Sequence, residues 1–90
     1  MKRLHIIIDG KVQGVGFRFY TKDIATKTGV TGWVKNLSNG KVEIVAEGSK
    51  EEIQTFLKKL KEGYLGRNIT NIEEIEKAYT GTFSSFEITF

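Results

Sequence analysis

Residues 10–18 read Gly10-Lys11-Val12-Gln13-Gly14-Val15-Gly16-Phe17-Arg18. Three glycines close together allow positive φ and let a ligand approach the main chain. If such a run opens a helix, its amide N–H groups converge on one point, and the helix dipole adds positive potential there. Arg18 follows with a planar, permanently charged fork that matches phosphate or carboxylate oxygens. The chemistry on offer is a cradle for a small anion. Glycine content alone is equally consistent with a plain tight turn. Two phosphate loops are excluded: no Gly-Lys-Ser/Thr ending is present, and Phe19 stands where the dinucleotide fingerprint needs its third glycine.

The cradle needs a strand before it and a helix after it. Leu4, Ile6 and Ile8 alternate with His5, Ile7 and Asp9, which predicts a strand with one buried face and His5 at its surface or edge. Phe17, Tyr20, Ile24, Ala25 and Thr28 recur at helical spacing until Gly29, so a helix is expected from Phe17 to Thr28. Two strand-like runs follow, residues 30–37 and 41–47, joined by Ser38-Asn39-Gly40. Asn-Gly between such runs signals a hairpin. In the second run Val42, Ile44 and Ala46 form a core face, against a mostly wet face of Lys41, Glu43, Val45 and Glu47. Trp33, in the first run, is expected to be a core or edge packing residue.

Ser49 and Glu52 have the spacing of a capping box, and Ile53, Phe56, Leu57 and Leu60 form the apolar stripe of a second helix ending at Gly63. Residues 64–72 carry Gly66, Asn68 and Asn71 and are expected to form a loop. A fourth strand is expected over residues 73–79, a turn at Thr80-Gly81-Thr82, and a short final strand on Phe86, Ile88 and Phe90. The order is β-α-β-β-α-β with an extra C-terminal strand. The simplest solution is an α+β, ferredoxin-like sandwich, with two helices on one face of an antiparallel or mixed sheet. Ninety residues make one domain, 1–90.

Composition removes several functions. With no cysteine there is neither a disulfide nor thiolate chemistry, and with one histidine a zinc site lacks ligands. The net charge of +3 is spread over scattered lysines and reads as a solubility feature. RNA-binding domains of this fold stack bases on aromatics of their two central strands. Residues 4–10 and 41–47 contain no aromatic residue, so no nucleic-acid partner is expected. No signal peptide or membrane segment is legible, and a cytoplasmic location is the default.

The residues also carry a family resemblance. Gly10-Lys11-Val12-Gln13-Gly14-Val15-Gly16-Phe17-Arg18 resembles the first motif of the acylphosphatases. Gly29-Val30-Thr31-Gly32-Trp33-Val34-Lys35-Asn36-Leu37, followed by Asn39-Gly40-Lys41-Val42-Glu43, resembles the second. The likeness covers nearly the whole chain. Val30 stands where leucine is usual, Ser38-Asn39 where Pro-Asp is common, and Phe90 where tyrosine is frequent. The resemblance implies hydrolysis of acyl phosphates to a carboxylate and inorganic phosphate, with no metal or other cofactor. It implies that backbone amides of Gln13, Gly14, Val15, Gly16 and Phe17 bind the phosphate, that Arg18 also holds it, and that Asn36 orients the attacking water. On residue type alone, Asn36 reads as a turn residue. The family's motif varies at the position of Gly16, so Gly14 is expected to be the demanding glycine and Gly16→Ala to be tolerated. Since Met1 starts the chain and Phe90 completes the fold, a stand-alone monomeric enzyme is expected, in preference to a fragment of a carbamoyl-transfer protein or a ligand-binding module.

Overall fold

The computed structural model describes residues 1–90. In chain order the elements are β1 (Lys2–Gly10), α1 (Phe17–Thr28), β2 (Thr31–Asn36), β3 (Val42–Gly48), α2 (Lys50–Glu62), a 3₁₀ turn (Gly66–Asn68), β4 (Ile69–Lys77) and β5 (Phe86–Thr89). The strands form one mixed sheet in the order β4-β1-β3-β2-β5. All neighbours are antiparallel except β5, which runs parallel to β2.

Alternation decides which way the sheet faces. Ile6 and Ile8 of β1, Val34 of β2, Val42, Ile44 and Ala46 of β3, and Phe86 of β5 point to one side and are buried. Phe17, Tyr20, Ile24 and Ala25 of α1 and Ile53, Phe56, Leu57 and Leu60 of α2 close over them in one apolar cluster. Burying a large side chain of this kind contributes about 1.5–3 kcal/mol, so this layer carries most of the stability. α2 starts where its sequence signals place it: Ser49 Oγ accepts from Glu52 N, and Glu52 Oε1 accepts from Ser49 N. Tyr20 Oη donates to the Leu60 carbonyl at 2.6 Å and ties the two helices together. Burial pushes its phenol above the ordinary value.

Three expectations need correction. The fourth strand starts at Ile69, not residue 73, so residues 69–72 of the presumed loop are strand. Its isoleucines Ile69, Ile72 and Ile75 are three apart, and the ladder to β1 shifts register between Asp9 and Gly10, which hides the period of two. His5 is not at an edge, because β1 is an inner strand and His5 lies between Val45 and Ile75. The second face of β3 is not wet either: Val45 is 0% and Glu47 1% exposed. The connection between β4 and β5 folds back over this face. There Glu47 accepts from Thr80 N at 2.9 Å, Thr80 Oγ1 at 2.9 Å, Gly81 N at 3.1 Å and Arg3 Nη1 at 3.3 Å. Burial by itself raises a carboxyl pKa. Here the four donors, led by Thr80, outweigh it and hold Glu47 below its ordinary value.

Candidate active site

The glycine-rich loop runs from the end of β1 to the start of α1. It is fastened at two points. Lys11 N donates to the Asn68 carbonyl at 3.0 Å, and Asn68 Nδ2 returns a bond to the Lys11 carbonyl at 2.9 Å. Gln13 Nε2 reaches the β2–β3 hairpin, donating to the carbonyls of Leu37 at 2.7 Å and Lys41 at 2.8 Å. Val12, between these fastenings, is buried in the core. The loop is thus held in shape by its neighbours before any ligand arrives.

Between the fastened half and α1 the backbone turns through two left-handed residues, Gly14 at φ 74° and Gly16 at φ 81°. A Cβ at either position would meet nothing within 4 Å, so the constraint is conformational and not steric. Gly14 is therefore not alone in its demand: Gly16 is equally committed, and the expected tolerance of Gly16→Ala does not follow.

Gly16 is also the N-cap of α1, and no side chain caps that end. No acidic residue lies in the first turn. The amides of residues 14–16 donate to no backbone or side-chain acceptor. α2 differs, since its capping box uses these groups internally. The first turn of α1 leaves its donors free and adds the Arg18 guanidinium, which forms no ion pair with any carboxylate. One face of that guanidinium is covered by the Phe90 ring, 4.7 Å from Arg18 Cζ.

A recess of about 140 Å³ opens at this point, lined by Val12, Gly14, Gly16, Phe17, Arg18, Phe19 and Asn36. Asn36 is the last residue of β2, opposite Val42, and comes to the recess across the sheet. Its Oδ1 is buried and has no hydrogen-bond partner. Leaving such an acceptor unpaired costs about 1–3 kcal/mol, a cost native structures rarely carry without a reason. No carboxylate, histidine or lysine lines the recess. Nowhere in the molecule do three or more His, Asp or Glu side chains gather in a way that would hold a metal ion.

Five of the residues singled out in the sequence therefore meet at one place: Gly14, Gly16, Phe17, Arg18 and Asn36. Gln13 and Val15 do not line the recess. Gln13 uses its side-chain amide to position the loop, and Val15 packs half-buried against the core. Residue type gave a hint of the Gln13 role, because a primary amide in a polar loop can donate twice. Nothing in the sequence pairs Phe90 with Arg18.

The family model described as acylphosphatase matches residues 4–88. The chain belongs to the acylphosphatase family. An acylphosphatase of Methanospirillum hungatei is 44% identical over 89 residues, covering 98% of this chain and 97% of the relative. One of Syntrophus aciditrophicus is 40% identical over 90 residues, covering all of this chain and 94% of the relative. The crystal structure of an acylphosphatase from Bacillus subtilis superposes with a TM-score of 0.92 at 39% identity, covering both chains fully. Membership gives the chain its enzyme class, that of the acylphosphatases, and the shared fold is the ferredoxin-like α+β sandwich.

Proposed function

We propose that the recess binds the phosphoryl group of an acyl phosphate and that water attacks the phosphorus there, releasing a carboxylate and inorganic phosphate. The observation that carries this reading is the junction of an uncapped helix start, a free guanidinium and Asn36 on one recess. The backbone amides of the loop and Arg18 take the phosphoryl oxygens and neutralise the charge that spreads over them in the transition state. Asn36 orients the water through its side-chain amide, leaving a lone pair directed at phosphorus. The bond from phosphorus to the acyl oxygen breaks as the bond to water forms. The leaving carboxylate is stable without protonation, so no general acid is needed. The recess offers no side chain that is a base at neutral pH, and the proton of the water passes to a phosphoryl oxygen of the substrate. On this reading the partner is a small molecule, and the chain acts as a cytoplasmic monomer.

Substitution at the two polar side chains tests the roles separately. Arg18→Ala is expected to abolish detectable turnover and weaken inhibition by inorganic phosphate, with poor rescue by Arg18→Lys, since a point charge lacks the bidentate fork. Asn36→Ala is expected to lower kcat by about 10²–10³, while the phosphate inhibition constant stays nearly constant. Removing an unpaired buried acceptor should leave stability unchanged or raised, so the loss of rate would not be a loss of fold. If Asn36→Ala retained kcat and lost phosphate affinity, Asn36 would be a phosphate ligand and the water-positioning role would be wrong.

A further inference from the structure

Two exposed aromatic side chains adjoin Arg18: Phe19 is 70% and Phe90 93% exposed. Phe90 is accounted for by its stacking on the Arg18 guanidinium. Phe19 stacks on no other ring and on no cation. It is the third residue of α1, in the turn whose Phe17 and Tyr20 enter the core, and it lines the recess. The other two apolar residues there, Val12 and Phe17, are each 1% exposed and belong to the core. Phe19 is thus the one exposed apolar side chain in the lining of the recess itself.

A space of about 140 Å³ holds a phosphoryl group but not a bulky acyl group as well. The larger part of such an acyl group must then project past the rim, where the polar chemistry ends. An aromatic ring at that rim offers area and a π face to whatever emerges.

We infer that the acyl group lies against the Phe19 ring, and that this contact makes the enzyme favour aromatic and branched apolar acyl phosphates over acetyl phosphate. The inference rests on the recess being the phosphate site. The contact acts on the acyl half alone, so its signature is a change in the ratio between substrates. Ring-to-ring contact is worth about a two- to tenfold change in kcat/KM.

The experiment compares kcat/KM for benzoyl phosphate and acetyl phosphate in the unsubstituted protein, Phe19→Ala and Phe19→Leu, with inorganic phosphate as inhibitor throughout. Taking each substrate relative to the unsubstituted protein cancels the difference in intrinsic reactivity. Phe19→Ala is expected to lower the benzoyl value about two- to tenfold more than the acetyl value, with part of the loss recovered in Phe19→Leu. An unchanged ratio in both variants, with phosphate still competing, overturns the acyl contact and leaves the recess standing as the phosphate site. If phosphate fails to compete with either substrate in the unsubstituted protein, the recess assignment falls and the acyl contact falls with it.

Discussion

Replacing Glu47 by glutamine would test how the sheet's second face is closed. The carboxylate is 1% exposed and accepts from Arg3 Nη1, Thr80 N, Thr80 Oγ1 and Gly81 N. A glutamine fills the same space but keeps one acceptor oxygen. Thr80 N and Gly81 N bond to different carboxylate oxygens, so one of these amides would face an NH₂ group. Arg3 would lose its ion pair, although its side chain, 19% exposed, can still reach water. One unsatisfied buried donor costs about 1–3 kcal/mol, and removing one partner of a buried pair about 3–5 kcal/mol. With Arg3 partly solvated, a total of about 3 kcal/mol follows, which for a domain of this size lowers Tm by roughly 12–24 °C.

Titration gives a second reading of the same contact. Glu47 is held below its ordinary value of 4.5 in the native protein, so the unfolded chain takes up the proton more readily. The stabilisation is therefore complete above the unfolded value and is lost as pH falls through the folded one. The assay is denaturant unfolding of both proteins at pH 7 and at a series of values below 4.5. The gap between them is expected to be about 3 kcal/mol at pH 7 and to narrow steadily on acidification. A gap under about 0.5 kcal/mol at pH 7, or one that does not change with pH, would refute the account of Glu47 as a charged clasp.

Two further outcomes concern the loop. Gly14→Ala and Gly16→Ala are each expected to cost about 1–2 kcal/mol of stability, from the left-handed backbone alone, and to weaken inhibition by phosphate. Equal stability of Gly16→Ala and the unsubstituted protein in thermal unfolding would show that the N-cap can relax out of that conformation. Gln13→Ala removes two hydrogen bonds to carbonyls that other donors also serve. It should therefore cost about 1–2 kcal/mol and reduce kcat/KM through displacement of the loop, and normal kinetics in a folded variant would argue against that fastening.

The elements legible in the sequence were those whose signals are local. α1 spans the predicted residues because Phe17, Tyr20, Ile24 and Ala25 share one face and Gly29 ends it. The capping box at Ser49 and the Asn39-Gly40 turn are likewise properties of a few adjacent residues. β4 was misread because it lies at the sheet margin, with little burial to impose alternation. Glu47 was misread because its cover comes from Thr80 and Gly81, more than thirty residues away. In the site, Arg18 and the glycines could be placed from the loop's own sequence. Asn36 has no such local signal, and only the resemblance separated it from a turn residue. The side-chain role of Gln13 depends on where the hairpin carbonyls come to rest, which adjacent residues do not encode.

The way the loop is fastened has a consequence for how the protein is made. Gln13 bonds to partners 24 and 28 residues ahead, and Lys11 is bonded by Asn68, 57 residues ahead. Such separations must be closed, at an entropic cost, before any of these contacts returns energy, so long-range pairing and not helix formation sets the pace of folding. The chain contains no proline, which removes the peptide isomerisation that retards many refolding reactions. A nascent chain that has not yet released residues 66–77 already carries the whole loop and the hairpin carbonyls that hold Gln13, but lacks the Asn68 fastening. The second fastening of the loop is thus supplied by the last third of the chain to be synthesised, although no residue assigned to bind substrate lies there.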